Sequence, residues 1–131
     1  MCEQRANVNH GSEPVSGSLS SKRDEYRRLL EVSLEEAVFV ISKLDGVERV
    51  SLVGSYAKGR ADLFTDLDLV VIMRTDLSFV DRLKLIYSNL CLPVDIDVLC
   101  YTPEEFEKIK EKDFFRNLLK DEVVLYERKR V

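Results

Sequence analysis

The chain has 131 residues and a mass of 15.1 kDa, which is enough for one compact domain and too few for two ordinary ones. Its net charge of −4 and its pI of about 5.1 argue against sequence-independent binding to nucleic acid. No apolar run approaches the length that crosses a bilayer, so we expect a cytoplasmic protein without a membrane segment.

The cysteines and the single histidine do not follow a metal-ligand pattern. Cys2, Cys91 and Cys100 contain no C-x-x-C pair, and His10 lies in a polar segment. Because structural zinc sites need closely spaced Cys and His ligands, the sequence excludes such a site.

The first part of the chain divides into a polar segment and a long helix. Residues 1–20 have little to bury, so we expect a flexible leader before a single domain over residues 21–131. The helix is predicted to begin at Ser20 or Ser21, either of which can cap it, and to end at Gly46. Its apolar face has residues at intervals of three and four: Tyr26, Leu30, Leu34, Ala37, Ile41 and Leu44.

Three apolar segments have the length and composition of strands, and they cover residues 47–53, 67–73 and 94–100. The connection between the first two is short for a parallel crossover, so we expect those two strands to pair antiparallel. A fourth strand is predicted over residues 123–126, at an edge of the sheet.

Two further helical segments are predicted between these strands. One covers residues 77–90, with an inward face of Phe79, Val80, Leu83, Ile86, Tyr87 and Leu90. The other begins with Thr102 as its cap and Pro103 at its first position, and it divides near Asp113. Its buried side is expected to contain Phe106, Ile109, Phe114, Phe115, Leu118 and Leu119. The whole pattern predicts an α/β or α+β domain with a mixed sheet of about four strands and flanking helices.

Four carboxylates stand in strands that are otherwise apolar. Asp66 and Asp68 open one strand, and Asp95 and Asp97 lie in another, so each pair occupies one face. If these side chains converge at one end of the sheet, they repel one another unless a cation lies between them. A hard divalent ion such as Mg²⁺ suits oxygen ligands and retains positions for substrate phosphates.

The segment after the first strand has the composition of a phosphate site. Gly54 allows close approach of a ligand to the backbone, and the Ser55 hydroxyl and the amides that follow can bind an anion. Lys58 follows closely. Tyr56 and Phe64 are expected to pack near this loop instead of stacking on a base. Phosphate and metal sites together indicate attack on the α-phosphorus of a nucleoside triphosphate, with pyrophosphate as the leaving group.

These residues carry a family resemblance. Gly54-Ser55, ten further residues, Asp66-Leu67-Asp68 and a later Asp-containing strand resemble the motif of the polymerase-beta-type nucleotidyltransferases. Over about residues 21–127 the chain is similar to their smallest members, the minimal nucleotidyltransferases. The resemblance implies the nucleotidyltransferase fold and two Mg²⁺ ions, with Mn²⁺ as an alternative, bound by Asp66 and Asp68. It also implies Ser55 as a ligand of the β- and γ-phosphates and Lys58 as a further phosphate contact.

The third carboxylate of the family, which lies near the attacking hydroxyl, corresponds to Asp95 or Asp97. Asp97 is favoured, because its distance to Thr102-Pro103 resembles the family spacing between the last catalytic Asp and the next helix. Asp95 remains the alternative, since the register of a strand is not fixed by its sequence alone.

Larger nucleotidyltransferases add a second domain that holds the base and the acceptor, and this sequence leaves no residues for one. We therefore expect another chain to hold the acceptor. The resemblance suggests transfer of AMP from ATP to a tyrosine of a HEPN-domain toxin, with this chain as the antitoxin. The alternatives are transfer to a small hydroxyl compound, as in aminoglycoside-modifying relatives, and a non-catalytic antitoxin or nucleotide-binding module.

Overall fold

The computed structural model describes residues 19–129, so the predicted leader lies outside the described residues except for Leu19 and Ser20. The elements in chain order are α1 (Leu19–Ser42), β1 (Val47–Val53), α2 (Gly54–Ala57), β2 (Leu67–Met73), α3 (Phe79–Ser88), β3 (Ile96–Tyr101), α4 (Pro103–Ile109), α5 (Asp113–Leu119) and β4 (Val123–Glu127). The predicted order of helices and strands is confirmed. Within the described range, no helix is both long enough and apolar enough to span a membrane.

The four strands form one mixed sheet in the order β3-β2-β1-β4. Strand β1 is antiparallel to both β2 and β4, whereas β2 and β3 are parallel. The predicted antiparallel pairing of the first two strands and the edge position of the last strand are therefore confirmed. The parallel pairing of β2 and β3 matters for the site, because the beginnings of both strands lie at the same end of the sheet.

Helix α1 packs along the sheet through the predicted face. Leu30, Ala37 and Ile41 are fully buried, and the other three predicted residues are partly buried against the same core. The predicted N-cap is wrong, since Ser20 and Ser21 both lie inside α1, which extends back to Leu19. The preference of serine for the N-cap position is weak, and tertiary packing can override it. A serine therefore does not by itself determine where a helix begins.

The inward face predicted for the third helix is partly wrong. Ile86 is buried and Leu83 and Leu90 pack against the core as predicted, but Val80 is 59% exposed, and Phe79 and Tyr87 are 40 and 39% exposed. Arg82, which was not predicted to lie inward, is 5% exposed. Its side chain is buried because it is bound between α3 and the neighbouring elements.

The Arg82 guanidinium connects three elements. It donates hydrogen bonds to the carbonyl oxygens of Leu77 and Cys100 at 2.9 and 3.3 Å, and two to the carboxylate of Glu105 at 2.7 and 3.0 Å. Glu105 also accepts from the Thr102 backbone N–H at 3.0 Å as part of the capping box of α4. One charged pair thus fixes α3 and the start of α4 against β3.

The last helical segment divides as predicted, into α4 and α5, and Pro103 stands at the start of α4. Phe106 is buried against the second face of the sheet. The expectation that Phe114 is buried is wrong, because it is 67% exposed. It lies in the first turn of the short helix α5, where only its edge contacts the Phe115 ring, at 5.5 Å between ring centroids.

The outer edge of β3 is covered by a side chain of α3. The Tyr87 hydroxyl accepts a hydrogen bond from the Val98 backbone N–H at 2.8 Å and donates to the Ile96 carbonyl at 3.4 Å. These are backbone groups that a neighbouring strand would otherwise bind.

Candidate active site

The predicted site residues come from three strand ends at one end of the sheet. Gly54 directly follows β1, Asp68 is the second residue of β2, and Asp97 is the second residue of β3. The register places Val53 opposite Asp68 and Asp68 opposite Asp97. The pairing of the strands therefore sets three chain segments side by side.

Asp68 and Asp97 lie opposite each other on neighbouring strands. The pKa of Asp68 is raised to about 6, first by burial, then by the charges of Asp97 and Asp66, and also by a side-chain hydrogen bond with Asp97. Asp66 is thus within electrostatic reach of Asp68, although it lies just before β2 begins. The three carboxylates concentrate negative charge at this end of the sheet, as a cation site requires.

The two candidates for the third carboxylate take different positions. Asp97 lies within β3 beside Asp68, whereas Asp95 precedes the strand and its carbonyl accepts a hydrogen bond from the Leu67 N–H at 3.1 Å. The charge of Asp95 acts on the hydroxyl of Tyr26, whose pKa it helps to raise. This geometry favours Asp97 as the partner of Asp68, and its catalytic assignment stays a prediction.

Gly54 is required where β1 ends. Its φ is 81°, in the left-handed region that favours glycine, and a Cβ built on it would lie 2.3 Å from Oδ2 of Asp68. The adjacent Ser55 is the second residue of the short helix α2. Its backbone carbonyl accepts hydrogen bonds from the backbone N–H groups of Lys58 and Arg60. Lys58 is exposed at the end of this turn. The predicted phosphate-binding residues therefore lie next to the carboxylates, because Gly54 is packed against Asp68.

The loop that leads to Asp66 is fixed by Asp62. Its carboxylate binds Arg60 at 2.8 Å and accepts from the Phe64 N–H at 2.9 Å and the Thr65 hydroxyl at 3.1 Å. These bonds lower the pKa of Asp62, with the Arg60 hydrogen bond as the largest cause. The expectation that Phe64 packs near the loop is wrong, since it is 83% exposed, because the braced loop turns it outward. Tyr56 packs against the core as expected.

Tyr26 contributes to the site, which the sequence did not predict. Its hydroxyl donates to the Thr65 carbonyl at 2.9 Å, directly before Asp66. Burial and then the charges of Asp66, Asp95 and Asp62 raise its pKa. The helical periodicity assigned Tyr26 to the core face of α1 correctly. Periodicity does not, however, indicate which group the Tyr26 hydroxyl binds. Tyr26 holds the peptide that sets the direction of Asp66.

The carboxylates fit a divalent cation by their chemistry. The carboxylate oxygens of Asp66, Asp68 and Asp97 are ligands that suit Mg²⁺ or Mn²⁺, and the charges of Asp97 and Asp66 add to burial in raising the pKa of Asp68. In residues 19–129, however, no three Asp, Glu, His or Cys side chains are close enough together to form a ready metal site. The assignment of Asp66, Asp68 and Asp97 as ligands of the ion therefore stays a prediction.

A cleft lies at the other end of the sheet. It has a volume of about 730 Å³, and its lining includes Arg49, Arg74, Phe106 and Lys110. Arg74 follows the last residue of β2, whereas the carboxylates stand at the beginning of that strand. This cleft is therefore separate from the candidate site.

Comparison with protein families assigns the segment that contains Gly54 and the Asp-Leu-Asp motif. Residues 34–91 match the family model described as "Nucleotidyltransferase domain". This segment of the chain is therefore similar to that family of nucleotidyltransferase domains. The match includes α2 and β2, and β3 with Asp97 follows it directly.

Similar proteins agree with this nucleotidyltransferase assignment. The chain is 41% identical over 63 residues to the "Probable protein adenylyltransferase MntA" of Haemophilus influenzae, a match that covers 45% of this chain and 55% of that protein. The chain thus spans about half the length of this curated relative.

Among solved structures, a candidate nucleotidyltransferase of Sulfolobus solfataricus has a TM-score of 0.53 at 18% identity, and the alignment covers 89% of this chain and 94% of that chain. It shows the same fold. A structure of a toxin-antitoxin MntA-HpeT complex aligns with a TM-score of 0.47 at 16% identity, over 76% of this chain and 73% of that chain.

The raised pKa of Asp68 predicts a pH-dependent effect of Asp68→Asn on this nucleotidyltransferase domain. Because the folded pKa of about 6 exceeds the unfolded value, the Asp68 carboxyl contributes stability below about pH 4 and loses that contribution as the pH rises through 6. The variant should therefore melt higher than wild type at pH 7.5 in EDTA. Allowing for solvent screening of this half-exposed group, we expect about 1 kcal/mol, or about 3–5 °C.

Thermal unfolding followed by circular dichroism at pH 7.5 and pH 4 measures this effect. The difference between variant and wild type should shrink toward zero at pH 4, where Asp68 is protonated in the folded chain. Asp95→Asn is the matched control, because Asp95 is exposed and lies outside β3. A gain of equal size at both pH values would contradict the electrostatic explanation.

Proposed function

We propose that this chain is a metal-dependent nucleotidyltransferase that transfers AMP from ATP to a hydroxyl group, and that the acceptor is a tyrosine of a HEPN-domain toxin for which this chain is the antitoxin. The observation that carries the proposal is the position of Asp68 opposite Asp97 on adjacent strands, with Gly54 against Asp68. The family match and the adenylyltransferase name of the Haemophilus relative support the reaction class. Because the proposed reaction consumes ATP, we expect it to take place in the cytoplasm.

In the proposed reaction, the acceptor oxygen forms a bond to the α-phosphorus of ATP while the bond from that phosphorus to the β-phosphate oxygen breaks. Pyrophosphate leaves with that electron pair, and the hydroxyl proton passes to solvent water. Two Mg²⁺ or Mn²⁺ ions, when bound, supply Lewis-acid activation of the hydroxyl and neutralise the leaving group. Asp66 and Asp68 hold the cations, and Asp97, exposed at the same end, orients the attacking hydroxyl.

The residues after β1 suit the triphosphate. Gly54 keeps the backbone close to Asp68, so that phosphates and carboxylates can share the same cations. Ser55 offers its hydroxyl to the β- and γ-phosphates, and Lys58 is exposed and can approach them. Tyr26 holds the Thr65 peptide and thereby limits the motion of Asp66.

Incubation with ATP labelled at the α-phosphate tests the proposal. The chain is mixed with Mg²⁺ and the protein encoded by the neighbouring gene, and the label is followed by gel and by mass spectrometry. We expect label on a tyrosine of the partner, and its loss when that tyrosine is replaced by Phe or when EDTA is added. The Asp68→Asn variant is the matched inactive control.

Other outcomes of this experiment assign other functions. Label on an added aminoglycoside, with none on protein, would indicate a small-molecule acceptor. Inhibition of the partner by the Asp68→Asn variant as strong as that by wild type, without any label, would indicate an antitoxin that acts by contact alone.

We expect the chain alone to bind ATP weakly and with little preference over GTP. The candidate ligands are phosphate and metal contacts, and Asp97 and Lys58 are open to solvent. Contacts to phosphate alone discriminate poorly between bases, so base preference requires further enclosure by a partner. Calorimetric titration with ATP and GTP in Mg²⁺ should give dissociation constants within about fivefold of each other. Tight, ATP-selective binding would instead show a complete base pocket in this chain.

A further inference from the structure

Helix α1 has an apolar stripe on the side that does not face the sheet. Leu29, Val32 and Phe39 are 37, 58 and 64% exposed, although each is a large apolar residue. Exposed apolar residues that are aligned on one helix face, instead of scattered singly, indicate a contact surface. These three residues are not part of the candidate active site, to which helix α1 contributes Tyr26.

The stripe follows a heptad pattern. Glu25, Leu29, Val32, Glu36, Phe39 and Lys43 are separated alternately by four and three residues, which is the spacing of the seam of a coiled coil. Lys43 follows directly on the helix, and its ammonium group lies over the Phe39 ring at 4.7 Å from the centroid. The pattern therefore extends over about five turns and ends in opposite charges.

We propose that the α1 stripe pairs two copies of this chain in an antiparallel, two-fold symmetric helix contact centred at the level of Leu34. Symmetry then sets Leu29 opposite Phe39 of the second copy and Val32 opposite its Glu36. Glu25 comes opposite Lys43 of the second copy at both ends of the contact. The occupant of the stripe is a second copy because the stripe is complementary in charge to itself in this orientation.

The charges also exclude the parallel arrangement. A parallel pair would set each residue opposite its own copy, which brings Glu25 against Glu25 and Lys43 against Lys43. Like charges that face each other across a helix contact destabilise it, and they act as the element that selects the orientation. Antiparallel pairing converts both repulsions into attractions.

Sedimentation velocity of the full chain over a range of micromolar concentrations tests the proposal. Wild type should sediment as a dimer of the 15.1 kDa chain, and Phe39→Glu should raise the dissociation constant at least about tenfold. Phe114→Glu is the matched control, because Phe114 is 67% exposed on α5, and this variant should remain dimeric. Thermal unfolding of each variant shows whether the fold is retained.

Charge reversal distinguishes the predicted orientation from any other apolar association. Glu25→Lys and Lys43→Glu should each weaken the dimer about fivefold, and the variant with both changes should recover wild-type affinity. A wild-type chain that is monomeric at every concentration would overturn the proposal. It would then indicate that the α1 stripe binds a different protein. Failure of the double reversal to recover the dimer would overturn the antiparallel register.

Discussion

Replacement of Asp97 by Asn should lower the rate of nucleotidyl transfer by about a hundredfold to a thousandfold. The physical reason is the position of Asp97 opposite Asp68, where the proposed reaction needs both carboxylates beside the cations and the attacking hydroxyl. Asn has nearly the same volume as Asp but lacks the charge, so the fold should be unchanged. Initial rates of label transfer at saturating ATP measure the effect.

Asp95→Asn is the control for that experiment, because Asp95 lies two residues away and precedes β3. Its rate should stay within about threefold of wild type. Asp68→Asn should lose activity to at least the same extent as Asp97→Asn. If Asp95→Asn is inactive and Asp97→Asn is active, the third catalytic carboxylate is Asp95, and the assignment made from the strand register must be exchanged.

Replacement of Arg82 by Met should destabilise the domain by about 2–4 kcal/mol. The change removes hydrogen bonds to two backbone carbonyls and leaves the Glu105 carboxylate without its cation, next to the buried Cys100. Burial raises the pKa of the Cys100 thiol to about 11, which shows that the surroundings are poorly solvated. Urea denaturation followed by circular dichroism gives the change in the free energy of unfolding.

Two further variants separate the causes of this loss. Arg74→Met removes an arginine that is 53% exposed and is paired with Glu48 and Glu104, so it should cost less than about 1 kcal/mol. Arg82→Met combined with Glu105→Gln should recover part of the stability, because the unpaired charge is then absent. No recovery in the double variant would show that lost packing, and not the charge of Glu105, accounts for the effect.

The sequence predicted the helices and strands well, because each has a clear repeat of apolar residues or clear residues that mark where it begins. Strand β2 coincides with the predicted apolar run of residues 67–73, and Thr102-Pro103 marks the start of α4 through a capping box that the structure contains. The sequence failed on Arg82, since a long cation is normally assigned to solvent. Its burial depends on Glu105, which lies 23 residues later and on another element.

The residues of the candidate site could be predicted from the sequence, but their positions relative to one another could not. The motif and the two-residue spacing singled out Asp66 and Asp68, but the contact of Asp68 with Asp97 depends on the register of β2 against β3. That register is set by tertiary packing and cannot be derived from either strand alone. For the same reason the hydrogen bond from Tyr26 to Thr65, which joins residues 39 positions apart, was not foreseen.

The Tyr87 hydroxyl restricts the route by which an acceptor protein can approach Asp97. It engages the Val98 N–H and the Ile96 carbonyl, the backbone groups on either side of Asp97. An acceptor segment cannot extend the sheet alongside β3 without displacing this hydroxyl. In the proposed reaction with a partner protein, we therefore expect the acceptor tyrosine on a turn or a chain terminus that points toward the end of the sheet, and not in the middle of a strand added beside β3.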